Sequence, residues 1–196
     1  MTSTPATSTD STSTDGTSVA VLVGSLRADS VNRRVAERLR DTAPDGVRLE
    51  IVEGLDLLPF YNEDLDVPGR TPEAAVALRE RVGAADRVLA VTPEYNGTMP
   101  AVLNNALDWL SRPYGAGALV GTPFGVVGVT PTPYGGKWSH DDAARSARVA
   151  GAVVVEDVTV SQSSIDVDVL EDIATQERLA GALRTLVGFA GEPTAA

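Results

Sequence analysis

Short apolar runs alternate with amphipathic stretches along most of the chain. The apolar runs predict five strands that are buried on both faces, at residues 19–23, 47–52, 87–91, 124–129 and 153–160. Between and after them, apolar residues recur every three or four positions, which predicts helices at residues 30–43, 72–82, 100–112, 138–150 and 168–189. This alternation is typical of an α/β protein with a parallel sheet covered by helices on both faces.

The sheet order most natural for such a chain is the doubly wound five-stranded order 2-1-3-4-5, although periodicity alone does not establish strand order. In that order a crevice lies beyond the carboxyl ends of strands 1 and 3. We therefore expect the functional residues in the loops that follow strands 1, 3 and 4, at residues 24–32, 92–100 and 130–137.

The two ends of the chain differ from its centre. Residues 1–18 are almost all Ser, Thr, Asp, Pro and Gly, and predict a disordered tail because they offer too little apolar surface to offset ordering entropy. We expect one domain at residues 19–190 and a short C-terminal tail at residues 191–196. The sequence shows no secretory signal and no apolar run of the ~18 residues that a membrane helix needs, so we expect a cytoplasmic protein without a membrane span.

Composition narrows the possible chemistry. The 196 residues include no Cys and one His, His140, which excludes disulfides and thiolate metal sites and disfavours a His-based metal or hydrolase site. The net charge of -11 disfavours nucleic acid as a partner. Lys137 is the only lysine among 16 cationic residues. This bias indicates either a GC-rich genome or a protein from a salt-loving organism.

The loop after strand 1 concentrates groups that can bind an anion. Gly24 permits a sharp turn, Ser25, Ser30 and Asn32 carry polar side chains, and Arg27 supplies a fork of N–H donors. The predicted helix begins here and directs unpaired backbone N–H groups to the same place, so the loop suits a phosphate monoester. The alternative is that Ser30 only caps the helix and the rest is a solvated loop. The loop is neither a P-loop nor a GxGxxG fingerprint, because Gly24 stands alone in it.

The other two crevice loops are less specific. Residues 92–100 read TPEYNGTMP, and their prolines and Asn-Gly pair predict a compact turn that could present backbone groups to a flat polar ring. Residues 130–136 read TPTPYGG and could bring a ligand close to the backbone. Taken alone, residues 92–100 are better interpreted as a rigid connection between a strand and a helix, and residues 130–136 as an ordinary Gly/Pro turn.

Taken together, the motif GSLRADSVN at residues 24–32 and the stretch TPEYNGTMPAVLNNALDWLSRP at residues 92–113 resemble the NADPH-dependent FMN reductases. That family includes quinone, chromate and azo-dye reductases and has a flavodoxin-like fold, and the resemblance extends over residues 19–188. It implies that the first loop binds the FMN phosphate and that the second lines the isoalloxazine ring. The cofactor-binding residues that it implies are Ser25, Arg27, Ser30, Val31, Asn32, Pro93, Glu94, Tyr95, Asn96, Gly97, Thr130, Gly135 and Gly136.

The resemblance also implies a mechanism. Hydride would pass from NAD(P)H to the bound FMN and then to a small-molecule acceptor such as a quinone, in a ping-pong sequence. Because the flavin carries this chemistry, no side chain is assigned a catalytic role. The family forms dimers or tetramers, so Trp109 is interpreted either as an interface residue or as a core residue.

Three other functions compete with this interpretation. A flavodoxin-type electron carrier without its own NAD(P)H oxidation is the main alternative, but flavodoxins usually lack the arginine that Arg27 provides. A signalling receiver domain is rejected, because it needs an acceptor Asp where this chain has Thr92-Pro93. A cofactor-free binding protein is the third, and it would be colourless on purification.

Overall fold

The strands form one parallel sheet, described here from a computed structural model of residues 16–191. The strands are β1 (Thr17–Val23), β2 (Val47–Ile51), β3 (Arg87–Val91), β4 (Pro123–Thr130), β5 (Val153–Val154) and β6 (Val160–Ser163). Their order is β2-β1-β3-β4-β5, and β6 also pairs with β4. The predicted order 2-1-3-4-5 of a doubly wound, flavodoxin-like α/β fold is thus confirmed, with a sixth strand added.

The helices lie on both faces of the sheet. They are α1 (Val31–Asp41), α2 (Glu73–Gly83), α3 (Ala101–Leu110), α4 (Lys137–Val149) and α5 (Ile173–Val187). Alternate residues of β1 separate the two layers: Val19 and Val21 pack into the core with α1 and α5, whereas Ala20 and Leu22 pack into the core with α2, α3 and α4. A strand covered on both faces must be apolar throughout, which explains its uninterrupted run of apolar residues.

The predicted fifth strand at residues 153–160 is wrong as a single element. The chain leaves the sheet at Glu156–Val158, a short 3-10 turn that separates β5 from β6. The turn packs Val158 onto Gly125 of β4 so closely that a Cβ on Gly125 would lie 2.3 Å from Val158 Cγ1. Adjacent carboxylates disfavour a strand, and here Glu156 and Asp157 remain exposed while Val158 is buried.

Two predicted boundaries also shift. β1 begins at Thr17, so the last residues of the predicted tail belong to the sheet. Residues 1–15 of that tail, and residues 192–196 of the predicted C-terminal tail, lie outside the described residues. Helix α5 begins at Ile173 rather than near residue 168, because Asp172 caps it by accepting a hydrogen bond from Thr175 N at 2.8 Å.

Candidate functional site

The carboxyl ends of β1, β3 and β4 are neighbours in the sheet, so the three predicted loops meet along one edge. Gly24 N donates a hydrogen bond to Val91 O at 2.9 Å, which places the turn after β1 beside the end of β3. A Cβ on Gly24 would lie 2.3 Å from Thr92 Oγ1. Glycine is therefore required here by the close approach of the first loop to the second.

The first loop ends at the amino terminus of α1. Ser30 is buried and caps the helix, because its Oγ accepts a hydrogen bond from Arg33 N at 3.2 Å. Ser30 thus caps α1, and its hydroxyl proton is still available to a ligand. The N–H groups of Val31 and Asn32 belong to the first turn and have no acceptor within the helix. This end of α1 is suited to a negatively charged group.

Two arginines near this helix end differ in their surroundings. Arg33 pairs with Glu37 at 2.9 Å and with Glu53, and both carboxylates raise the pKa of its guanidinium. Arg27 is exposed and, within residues 16–191, forms neither an ion pair nor a hydrogen bond. Ser25, half-buried beside it, likewise has no hydrogen-bond partner there. Arg27 and Ser25 therefore keep donors for a ligand.

The Asn32 side chain has a different role from the one the sequence indicated. Its Nδ2 donates to Val129 O at 2.8 Å, and its Oδ1 accepts from Val129 N at 2.9 Å. Both ends of the amide thus fasten α1 to β4, and the residue is only 2% exposed. The contribution of Asn32 to an anion site at this helix end would come from its backbone N–H.

The tip of the second loop is a two-residue hairpin. Tyr95 N donates to Thr98 O at 3.0 Å and Thr98 N donates to Tyr95 O at 3.1 Å. Between them, Asn96 and Gly97 have φ values of 53° and 75°, in the left-handed region that Asn and Gly tolerate best. The compact turn predicted from the Asn-Gly pair is therefore present, and its exposed tip is held by its own backbone.

The base of the second loop is bonded to the third loop and to α4. Glu94 N donates to Thr130 Oγ1 at 2.9 Å. The Glu94 carboxylate accepts from Trp138 N at 3.1 Å and from Ser139 N at 3.3 Å, so it caps α4. Ser139 Oγ also donates to Pro93 O at 2.8 Å. With its carboxylate engaged in this cap, Glu94 would present backbone to a ligand.

The backbone of the third loop requires glycine at both positions of its Gly-Gly pair. Gly135 and Gly136 have φ values of 63° and 92°. A Cβ on Gly135 would lie 2.8 Å from the carbonyl carbon of Ser161, and one on Gly136 would lie 3.0 Å from Thr130 Oγ1. In the same loop Thr132 Oγ1 is buried without a hydrogen-bond partner among the described residues, which leaves one polar atom for a ligand.

Exposed aromatic rings lie on these loops and on α4. Tyr95 and Trp138 are each 46% exposed and Tyr134 is 60% exposed. The rings of Tyr134 and Trp138 are 4.7 Å apart between centroids. The sequence singled out Tyr95 but not Trp138, which follows the third loop and could have been found from its position two residues after the glycine pair.

Trp109 of α3 is a core residue, which decides between the two interpretations of the sequence. It is 0% exposed, and its Nε1 donates to Pro59 O at 2.8 Å. Its ring contacts Tyr61 edge-on at 5.0 Å, and the Arg79 guanidinium lies 5.5 Å from its centroid. Its contacts are therefore with the interior of its own subunit.

Comparison with known proteins identifies the family. Residues 17–165 match the sequence model of the NADPH-dependent FMN reductases. The chain belongs to this family. The match includes all three loops at the carboxyl edge of the sheet.

Individual relatives of this FMN reductase family member agree. The chain is 50% identical over 119 residues to a quinone reductase of Pseudomonas putida, in a match that covers 61% of the chain and 63% of the relative. A 2-hydroxy-1,4-benzoquinone reductase of a Burkholderia species is 44% identical over 117 residues, covering 56% of the chain and 62% of that relative. The matches thus span somewhat less than two thirds of the length of these relatives.

Among solved structures, FerB, a flavoenzyme NAD(P)H:(acceptor) oxidoreductase from Paracoccus denitrificans, has a TM-score of 0.76 and 31% identity, covering 87% of the chain and 95% of FerB. A flavodoxin from Pseudomonas aeruginosa has a TM-score of 0.54 and 20% identity over 86% of the chain and 99% of that protein, which shows the shared fold alone. Among residues 16–191 we find no helix long and apolar enough to cross a membrane.

Proposed function

We propose that this protein is an FMN-dependent NAD(P)H oxidoreductase that passes hydride from the nicotinamide through bound flavin to a quinone or similar small acceptor. One observation carries the proposal. Hydrogen-bond donors that have no partner within the described residues, and that could bind an anion, lie at the start of α1 beside two rigid loops at the carboxyl edge of the sheet. The family membership, and the reductase names of the relatives, support the same function.

The donor set at the first loop fits the FMN phosphate. The side chains of Ser25 and Arg27 and the backbone N–H groups of Val31 and Asn32 would hold the ester, with the Ser30 hydroxyl as a further donor. Charge-assisted hydrogen bonds from a guanidinium and from a helix terminus are the strong kind that a dianion attracts. The overall charge of -11 makes this local positive site more important, because the rest of the protein repels phosphate.

The other two loops would line the flavin ring. The residues that would do so are Pro93, Glu94, Tyr95, Asn96, Gly97, Thr130, Gly135 and Gly136. Bound FMN supplies the redox chemistry, since its ring takes up and releases the hydride. The residues of this chain bind and orient it: hydrogen bonds from Ser139 and to Thr130 fix the base of the second loop. No side chain is assigned a catalytic role, because Glu94 is engaged in capping α4 and His140 is buried.

The alternative function is a flavodoxin-type electron carrier. Arg27, free of any partner in the described chain, favours the reductase, and so does the higher similarity to FerB than to the flavodoxin. Oxidation of NADH or NADPH by the FMN-loaded protein, followed with and without a benzoquinone, separates the two. A carrier would bind FMN and leave the nicotinamide unoxidised.

We further propose that the protein is cytoplasmic and assembles as a homodimer or homotetramer. The exposed apolar side chains of Leu57, Phe60 and Tyr114, which are 70%, 80% and 82% exposed, support self-association. Light scattering coupled to gel filtration measures the assembly directly, and a monomeric mass would contradict this part of the proposal.

The decisive experiment is a titration of the purified protein with FMN. We expect a yellow protein that absorbs at ~450 nm, the usual band of bound flavin, and one FMN per chain. A colourless protein that does not take up FMN at any salt concentration would overturn the assignment. Riboflavin serves as the matched control ligand, because it lacks only the phosphate and should bind more weakly.

A further inference from the structure

His140 connects three elements beneath the candidate site. It lies in the first turn of α4, is 1% exposed, and has a partner for each ring nitrogen. Its Nε2 lies 3.2 Å from Thr92 O, and its Nδ1 lies 2.7 Å from Ser161 Oγ of β6. One imidazole therefore joins α4 to the end of β3 and to the edge of the sheet.

Thr92 O needs this partner because of how β3 and β4 separate. Thr92 N donates to Val127 O at 3.0 Å, as in a regular parallel ladder. In such a ladder Thr92 O would accept its hydrogen bond from Val129 N. The N–H of Val129 instead donates to the Asn32 side chain. Asn32 thus supplies the hydrogen-bond partner of the Val129 N–H at the end of β4. His140 supplies the partner of the buried Thr92 carbonyl, which the ladder leaves without a donor.

The hydrogen-bond partners determine the form of the ring. A carbonyl oxygen only accepts, so the nitrogen that faces Thr92 O must carry a proton. In the neutral ring Nδ1 is then the acceptor, and Ser161 Oγ donates to it. Burial lowers the pKa of His140, while the hydrogen bond to Thr92 O and the carboxylates of Glu94 and Asp141 oppose that effect. The ring is therefore the neutral Nε2–H tautomer at pH 7.

The ring is also closely packed. A Cβ on Gly128 would lie 2.7 Å from His140 Nε2, and a Cβ on Gly136 would lie 3.3 Å from it. Both positions must therefore stay small for the imidazole to reach Thr92. The lone histidine and two glycines of neighbouring elements thus form one packed unit.

We propose that His140 is a positioning residue of the FMN site. By holding the carbonyl of Thr92 it fixes the peptide that joins Thr92 to Pro93, from which the second loop begins, and so it sets where that loop meets the flavin ring. Because residue 93 is a proline, this peptide has no N–H with which to hold itself, and its carbonyl is the group that can be fastened. The inference rests on the proposed function, since the loop acts on a bound flavin.

Two substitutions separate the hydrogen bonds from the packing. His140→Gln keeps one N–H donor and one acceptor and does not titrate, whereas His140→Leu fills similar space with neither. Ser18→Ala is the control, because it removes a hydrogen bond to Asp86 at the opposite end of the sheet. We expect His140→Leu to weaken FMN binding by about tenfold, as for the loss of one hydrogen bond, and to change the visible spectrum of the bound flavin. His140→Gln should restore both, and Ser18→Ala should change neither.

The chain's one histidine gives a readout that needs no flavin. Nitrogen NMR of the protein without FMN should show a single neutral Nε2–H imidazole at pH 7, and its pKa should lie below the usual histidine value of ~6.5. A protonated ring or an Nδ1–H tautomer at pH 7 would overturn the proposal. Wild-type FMN affinity and spectrum in a folded His140→Leu variant would do the same.

The outcomes also separate this inference from the function on which it rests. If the wild-type protein does not bind FMN, the proposed function fails first. If it binds FMN and His140→Leu binds equally well, only the positioning role fails. Should His140→Leu not fold, the test depends on His140→Gln, whose amide keeps a donor and an acceptor. A folded His140→Gln protein that loses the wild-type affinity and spectrum then overturns the positioning role.

Discussion

Gly24 and Thr92 stand so close that no side chain fits between them: a Cβ on Gly24 would lie 2.3 Å from Thr92 Oγ1 and 2.8 Å from Thr92 Cβ. This contact joins the first and second loops, which come from neighbouring strands. Since Thr92 is itself 0% exposed and cannot move outward, the position accepts glycine only.

Gly24→Ala should therefore destabilise the protein and damage the site together. Overpacking at a buried contact costs about 1–3 kcal/mol, and we expect a lower melting temperature and weaker FMN binding. Gly83→Ala is the matched control, because a Cβ there would meet only Ala118 at 3.9 Å and should leave both quantities unchanged or raise stability slightly. Thermal melting and an FMN titration of both variants test this. A Gly24→Ala protein as stable as the wild type would contradict the contact.

Arg27→Ala should weaken FMN binding by about 2 kcal/mol, roughly 30-fold in Kd, the size of a charge-assisted hydrogen bond. Riboflavin affinity should not change, because the arginine is expected to contact only the phosphate. Arg38→Ala, at the other end of α1, controls for the loss of one positive charge. Fluorescence titration measures all these constants. An unchanged Kd for FMN in Arg27→Ala would remove the arginine from the phosphate site.

Asn32→Leu should lower the free energy of unfolding by about 3 kcal/mol, since it leaves a buried N–H and a buried carbonyl of Val129 without partners. It should also weaken FMN binding, because β4 and α1 are no longer fastened together. Asn105→Leu is a matched control: it removes the hydrogen bonds that Asn105 accepts from Tyr61 N and donates to Pro59 O, in the loop after β2. We expect it to destabilise the protein while the Kd for FMN stays the same. Urea unfolding and FMN titration measure both effects, and equal FMN affinity in the Asn32→Leu protein would show that its role is only structural.

The pair formed by Asp66 and Arg79 should make stability depend on pH in acid. Arg79 donates to both carboxylate oxygens at 2.7 Å, and these hydrogen bonds lower the pKa of Asp66 below its usual value. A carboxyl group with a lowered folded-state pKa contributes stability above its unfolded value of ~3.9, and this contribution is lost as the pH falls through the folded value. Asp66→Asn should therefore be less stable than the wild type at pH 7. The difference in urea midpoint should shrink below about pH 4, and a difference independent of pH would contradict the ion pair.

The effect of salt on the melting temperature tests why the chain has so many carboxylates and only one lysine. If the net charge of -11 and the single lysine reflect adaptation to high salt, molar KCl should raise the melting temperature substantially by screening repulsion. Sucrose at equal osmolality is the control for general exclusion effects. Equal melting temperatures in dilute buffer and in molar KCl would favour the explanation from a GC-rich genome.

The regular elements could be predicted because their signals are local. Val19–Val23 is buried on both faces and reads as one apolar run, and α1 begins at its Ser30 cap. The order of the strands followed from rules of connection and not from any residue. The split between β5 and β6 was missed, because it depends on the contact of Val158 with Gly125 of another strand.

For the candidate site, too, the sequence predicted what depends on local signals and missed what depends on distant contacts. Its loops were located from the sequence, since loops at the carboxyl ends of adjacent parallel strands must meet. The roles of individual side chains depended on distant backbone: Asn32 bonds to Val129, and His140 bonds to Thr92. No periodicity or motif in the sequence predicts a hydrogen bond from a side chain to a carbonyl that has no partner in the adjacent strand. Which oxygen or nitrogen lacks a partner is known only once the strands are in register.

The Glu94 carboxylate has a kinetic consequence. It accepts hydrogen bonds from the first turn of α4, while the Glu94 backbone N–H donates to Thr130. The second and third loops are therefore held together as one rigid unit. Two loops held in this way lose little conformational freedom when a ligand binds. We therefore expect the association rate to be limited by diffusion and charge and not by closure of the loops.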